Sequence, residues 1–272
     1  MKLSLRLRLK RWHYRGGLMT IFSIAIFIFL CIPLIVALIM SVNPEATLGY
    51  PKGFSLKWFG VLLNDESWMG AYRVSIQSAF LAALLALVNG TLFAFANSRF
   101  KYRLKGPLAT LALSPLGVPG IVLGVGLLLM LNPLSINGTM SALVIAFTVI
   151  TVPYVVRTVG ATLAVYDRSV EEAALTLGAN EIETFFRITL PMIAPGLLSA
   201  TILAFVFAFG NLQVAIFLTG IDTVTVPVLM YSVLEFEANP TIAAAAVLNI
   251  AIVTVALVIG TRMVGARNLL RF

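Results

Sequence analysis

Side chains able to do chemistry are scarce in this chain, and their densest group lies in one stretch, DRSVEEAALTLGANEIETFFRITLP, from Asp167 to Pro191. Arg168, Glu171 and Glu172, then Glu181, Glu183 and Arg187, give it both signs of charge, and Ser169 and Asn180 add capping oxygens. The stretch has no histidine or cysteine. The single histidine, His13, belongs to a basic N-terminal segment, and the single cysteine, Cys31, sits in an apolar run. No Ser/His/Asp grouping, metal-spaced His or Cys cluster or Walker-type phosphate loop can be assembled from these residues. A lone cysteine also excludes an intrachain disulfide. Catalytic, cofactor and metal sites are therefore expected to be absent. The chemistry on offer is recognition: charge and capped helix ends held toward a partner.

Two short helices must position these groups. Ser169 followed by Glu172 fits a capping box, in which the hydroxyl accepts from the N3 amide and the glutamate reaches back. Val170, Ala173, Ala174 and Leu177 then fall at i, i+3, i+4 and i+7, an apolar stripe expected to face inward. Arg168, Glu171 and Glu172 occupy the other face with Leu175 among them as an apolar knob, so this edge is expected to meet the partner. Gly178 is placed to end the helix in a left-handed turn. Asn180 with Glu183 repeats the capping logic for a second helix, whose inner face would be Ile182, Phe185 and Phe186. Pro191 suits the first turn of whatever helix follows.

The spacing Glu172-Ala173-Ala174, three residues, Gly178, nine residues, Ile188-x-Leu190-Pro191 resembles the EAA loop of permease subunits in binding-protein-dependent ABC importers. In that family the loop forms a cytoplasmic coupling helix that fits a groove on the ATPase subunit. The resemblance thus implies an ATPase-coupling role for Glu171, Glu172, Ala173, Ala174, Leu175, Gly178, Ile188, Leu190 and Pro191.

The rest of the chain explains where such a loop would lie. Of 272 residues, 60% are hydrophobic and only 11% charged, with a mean hydropathy of +1.01. Soluble domains carry about 25% charged residues, so the expectation is an all-α, polytopic membrane protein. The net charge of +8 does not mark a nucleic-acid binder, because the basic residues are dispersed among apolar runs. About 20 apolar residues are needed to span a bilayer. Six stretches qualify: 18–42, 74–97, 107–131, 139–165, 191–219 and 240–261. The first is too long for a cleaved signal peptide. The division that follows is a basic tail 1–17, a peripheral helix 18–42, an outer connection 43–73, a membrane domain 74–265 with the loop 167–191, and a tail 266–272.

Sixteen Lys and Arg residues fall on one side of this arrangement and three, Lys52, Lys57 and Arg73, on the other. The positive-inside rule makes the richer side cytoplasmic, which places both termini and the 167–191 loop inside. No acid or base lies near the centre of a span, which disfavours a secondary transporter working through intramembrane ionisable groups.

Polar and broken positions inside the spans are the candidates for a solute path. Ser114-Pro115-Leu116-Gly117-Val118-Pro119-Gly120 must interrupt its helix; it is either a pathway wall or hinge, or a point of close packing. Phe209, Asn211 and Gln213 in helix five either bond to a neighbouring helix or line the path. Asn89-Gly90-Thr91 is read as packing, and Pro33, Pro153 and Pro195 as kinks.

From about Ser55 to Arg262 the chain is similar to the membrane domain of type I ABC importers, closest to the second permease of the polyamine (spermidine/putrescine) branch. The pieces that carry this are Phe54-Ser55-Leu56-Lys57-Trp58-Phe59, Pro119-Gly120-Ile121-Val122-Leu123-Gly124, Phe217-Leu218-Thr219-Gly220, Thr225-Val226-Pro227 and Asn239-Pro240-Thr241-Ile242-Ala243-Ala244. Branches moving phosphonate, ferric iron, thiamine or sulfate share much of the pattern. Where polyamine permeases often show Ser-Phe-Asp-Glu, this chain has Ala208-Phe209-Gly210-Asn211, without a carboxylate for a cation. The resemblance implies a permease of the bacterial inner membrane, not an enzyme. Its partners would be a second, different permease subunit, two cytoplasmic ATP-binding subunits that hold the ATP and magnesium, an external solute-binding protein and membrane lipid. A secondary transporter, a channel and a membrane-embedded enzyme are the rival classes.

Overall fold

The computed structural model describes residues 2–45, 52–236 and 239–269, with side chains over 19–45, 52–236 and 239–263. Every regular element among them is helical. In order these are α1 (Lys2–Ser41), α2 (Lys57–Asn64), α3 (Glu66–Arg99), α4 (Lys105–Leu113), α5 (Gly120–Leu131), α6 (Met140–Val165), α7 (Ser169–Thr176), α8 (Glu181–Thr184), α9 (Leu190–Met192), α10 (Ala194–Phe209), α11 (Ala215–Leu218), α12 (Val226–Phe236) and α13 (Thr241–Leu269).

Four helices are long and apolar enough to cross a membrane: Met19–Ser41 within α1, α3, α6 and Thr241–Met263 within α13. The other two expected spans are bent pairs. Residues 105–117 and 120–134 meet at 112°, and residues 181–192 and 194–209 at 71°. The first break has a local cause. Ser114–Gly117 tightens to a 3-10 turn, and Val118 is extended, as a residue before proline prefers.

Several boundaries differ from the expected ones. α1 runs from Lys2 rather than beginning at residue 18. α3 starts earlier than expected because the Asp65 carboxylate caps it, accepting from the Ser67 and Trp68 amides. Helix five does not reach residue 219; it stops at Phe209, with Gly210 as its C-cap. Pro195 sits in the first turn of α10, where no backbone donor is lost, instead of kinking a helix interior. Pro33 and Pro153 do lie inside helices. The connection 220–239 contains α12, which at 11 residues is too short to qualify as a spanning stretch.

The chain divides into two compact units: residues 1–62 with 237–248, and residues 63–236 with 249–272. In the first, the Trp58 indole donates to the Asn43 carbonyl at 2.7 Å, and the Ser55 amide donates to the Val42 carbonyl. Nearly all described side chains of α1 are exposed apolar groups.

The core of the second unit lies where α3, α6 and α10 pack on one another. Ala83, Ala86 and Ala94 of α3 meet Val155, Val159 and Leu163 of α6, with Ile193, Ala200 and Ala204 from α10 and its entry. Small residues let these backbones approach, as membrane helices require in the absence of a hydrophobic drive. At the seam of α3 and α6, a Cβ on Gly90 would lie 2.7 Å from Val155 Cγ1. Gly90 and Thr91 are buried there, as packing expects, whereas Asn89 is exposed and its side chain donates to the Leu85 carbonyl of its own helix at 2.9 Å. Two loops are stapled as well. The Thr223 hydroxyl accepts from the Gly220 amide and donates to the Gly138 carbonyl, both at 2.8 Å. The Val226 amide donates to the Ser75 hydroxyl of α3.

Candidate functional site

The 167–191 stretch folds as a helix–turn–helix, but its first cap is not the expected one. Asp167 accepts from the Ser169 amide at 2.9 Å, and the Glu172 amide donates to the Arg168 carbonyl at 3.1 Å instead of to the Ser169 hydroxyl. Ser169 is thereby the first helical residue, and Arg168 occupies the cap position without a side-chain bond. Hydrogen bonds from the Ser169 amide and hydroxyl hold the Asp167 carboxyl below the usual range. Glu172 pairs with Arg168 at 3.2 Å instead of reaching back to the cap; both are well exposed, so the pair adds little stability.

The end of α7 is as expected. Gly178 has φ +95°, the Ala179 amide donates to the Ala174 carbonyl and the Gly178 amide to the Leu175 carbonyl, both at 3.1 Å. That pair of bonds is a Schellman turn. The reciprocal box of Asn180 and Glu183 also forms at the start of α8.

The inner face of α7 is not the apolar stripe. Glu171 and Ala174 are buried, whereas Val170, Ala173 and Leu177 are exposed. Glu171, expected at the partner-facing edge with Glu172, points inward instead. Its Oε2 accepts from Arg99 Nε at 2.7 Å, and its Oε1 accepts from Arg99 Nη2 and from the Thr189 hydroxyl, both at 2.8 Å. Arg99 is the last residue of α3, so this contact was out of reach of local pattern. A carboxylate with three donors offsets the cost of leaving water.

The second helix is corrected in the same way. Ile182 and Phe186 are exposed, while Thr184 and Thr189 are buried. Only Phe185 turns toward the core, edge-on to Phe95 at 4.6 Å between ring centroids. Phe185–Thr189 is a π-helical turn, and its extra residue rotates the following side chains relative to a regular helix. Ile188 and Leu190 are half-buried, and Pro191 lies in the first turn of α9. A groove results along this surface, lined among others by Phe95, Phe100, Phe185, Arg168, Glu172 and Leu175.

The four candidate pathway residues differ in their settings. Ser114 is exposed on its 3-10 turn and donates to the Leu111 carbonyl. Phe209 is buried and stacks on Phe205 at 5.7 Å. The Asn211 side chain accepts from the Val214 amide at 2.9 Å, a local cap for α11 rather than a bond to another helix. Gln213 is exposed beside Gly120, where a Cβ would collide with it. Gly124 is packed just as closely on Phe217. The start of α5 is thus packed against residues 213–217, which follow α10, and the glycines four residues apart at 120 and 124 permit that approach.

Residues 86–268, which include the whole 167–191 turn, match the family described as the binding-protein-dependent transport system inner membrane component. The chain belongs to this family. It is 34% identical over 229 residues to the putrescine transport system permease protein PotI of Escherichia coli, covering 82% of each chain. It is 30% identical over 256 residues to the spermidine/putrescine transport system permease protein PotC of the same organism, covering 94% of this chain and 93% of that one. Its fold is that of ABC importer membrane domains. A crystal structure of a bacterial alginate ABC transporter, in complex with a periplasmic protein bound to alginate pentasaccharide, matches with a TM-score of 0.71 and 16% identity over 93% of this chain and 94% of that one. The chain is thus an all-helical ABC importer permease subunit of the polyamine type, a multi-pass protein of the inner membrane. Its relatives are transport permeases, not enzymes.

Proposed function

We propose that this permease forms half of a translocation pathway, paired with a second, different permease, and imports a small amine-bearing solute handed over by an external binding protein. Two cytoplasmic ATPases, holding the ATP and magnesium, dock on the 167–191 turn and drive the membrane helices between states. Both termini face the cytoplasm, in accord with the distribution of Lys and Arg. The amine-bearing class is supported by relatives named for putrescine and spermidine/putrescine. A carboxylate for that cation is absent from 208–213, so selectivity at this step falls to the binding protein or the second permease.

One observation carries the docking proposal. Leu175, Leu177, Ile182 and Phe186 are exposed on a polar turn between membrane helices, and this chain's own core does not cover them. Apolar side chains gathered on such a surface mark a protein contact. Leu175, Gly178, Ile188, Leu190 and Pro191, with Glu172, Ala173 and Ala174, remain the coupling set; Glu171 acts from behind it.

Leu175→Asp tests this reading. The residue is 43% exposed, so the permease should insert and assemble with its partner permease as before. Co-purification of the ATPase and solute-stimulated hydrolysis should fall together. Wild-type values for both would remove the docking role from this turn.

A further inference from the structure

Glu171 is the one carboxylate of the turn that the protein hides; Asp167, Glu172 and Glu181 all lie at the surface. Its partner Arg99 is itself largely buried, with 12% of its side chain exposed. Removing one member of such a pair leaves an uncompensated buried charge, so the pair strongly constrains the rotation of α7. The competing setting is written in the sequence. Rolling α7 by about 100°, the rotation of a single residue, would turn Val170, Ala173 and Leu177 inward beside Ala174 and withdraw Glu171. In the observed setting Leu177 is 89% exposed.

On the basis of the docking role proposed above, we propose that Arg99, Glu171 and Thr189 are positioning residues that set the roll of the docking helix and tie it to the core. The carboxylate joins α7 to the last residue of α3 through a two-bond fork, and to the segment leading into α10 through Thr189. α3 and α10 supply two of the three core helices. A forked arginine bond fixes angle as well as distance, so displacement of α7 moves both helices rather than pivoting about one contact. Hydrophobic stripe and ion pair are in conflict here, and the ion pair keeps the apolar side chains outward.

The test uses the full-length permease in a Cys31→Ser background with Leu177→Cys as a reporter. In inside-out vesicles, a membrane-impermeant maleimide should label the reporter readily. Adding Glu171→Gln, which keeps the side chain's size and removes its charge, should shift the equilibrium between the two rolls by about tenfold or more, the lower end of what losing a charge-assisted hydrogen bond brings, and so slow labelling. In the assembled transporter, the same variant should hydrolyse ATP but move about tenfold less solute per ATP. The exchange Arg99→Glu with Glu171→Arg should restore much of both. Unchanged labelling and an unchanged solute-to-ATP ratio in Glu171→Gln overturn the proposal. If that variant does not accumulate, Thr189→Val gives the same two readouts, and wild-type values there overturn it equally. A mistaken docking role looks different: the wild-type chain itself would bind no ATPase, while the labelling result, read on this chain alone, still decides the roll.

Discussion

Replacing Gly178 by alanine isolates a single physical effect. The residue ends α7 at φ +95°, and nothing lies within 4 Å of the Cβ that alanine would add. Steric overlap with neighbours is thus absent, and only the backbone conformation is penalised. A left-handed residue with a Cβ costs roughly 1–2 kcal/mol, which is about a 5- to 30-fold fall in the ratio of the native turn to its alternatives. Asparagine tolerates this region better than alanine, and valine, branched at Cβ, tolerates it worse. If the Schellman turn aims the docking helix, solute uptake and solute-stimulated ATP hydrolysis should decline in the order Gly, Asn, Ala, Val. Melting of the purified permease should barely change, because the turn is exposed and remote from the α3/α6/α10 core. The assay is uptake into proteoliposomes containing the assembled transporter, with hydrolysis measured in parallel. Equal uptake for Gly and Ala, or lower uptake for Asn than for Ala, would refute the reasoning.

Three further outcomes follow from the packing and the charge distribution. Gly90→Ala should lower the thermal stability of the permease by about 1–3 kcal/mol, as overpacking does, because its Cβ would press on Val155. Gly160→Ala, in α6 with open space around it, should instead stabilise by about 0.5–1 kcal/mol; calorimetry in detergent that ranks the two the other way would discredit the α3/α6 seam. Reporter fusions after residues 15, 103, 180 and 270 should read as cytoplasmic and those after 60, 136 and 230 as external, and an external signal at 180 would exclude ATPase docking. Asn211→Leu removes the cap on the Val214 amide, a loss of about 1 kcal/mol, and should reduce uptake while the permease pair still co-purifies. Recovery in Asn211→Ser would assign the effect to the cap, and continued loss would assign it to contact with solute.

Much of this protein was legible from the chain alone, because the controlling physics is local. Apolar runs of spanning length announced the membrane helices, since a bilayer sets the length needed. Ser114 to Gly120 announced a break, since proline removes a donor wherever it falls. Gly178 and the Asn180/Glu183 box announced the ends of α7 and α8, because caps act within a few residues. The spacing from Glu172 to Pro191 carried the family. What only the tertiary structure decided was which way those elements face. Val170, Ala173 and Leu177 form a sound amphipathic stripe, yet a partner for Glu171 lies 72 residues away on α3, and the fold buries that pair instead. Likewise Ile182 and Phe186 were expected inside, but Thr184, Phe185 and Thr189 take the inner face instead. Gly120 belonged to an expected break and Gln213 was a polar residue of an expected span, but only the fold packs one against the other. Local hydrogen bonding fixes where a helix starts and stops; its roll and its neighbours are chosen by contacts distant in sequence.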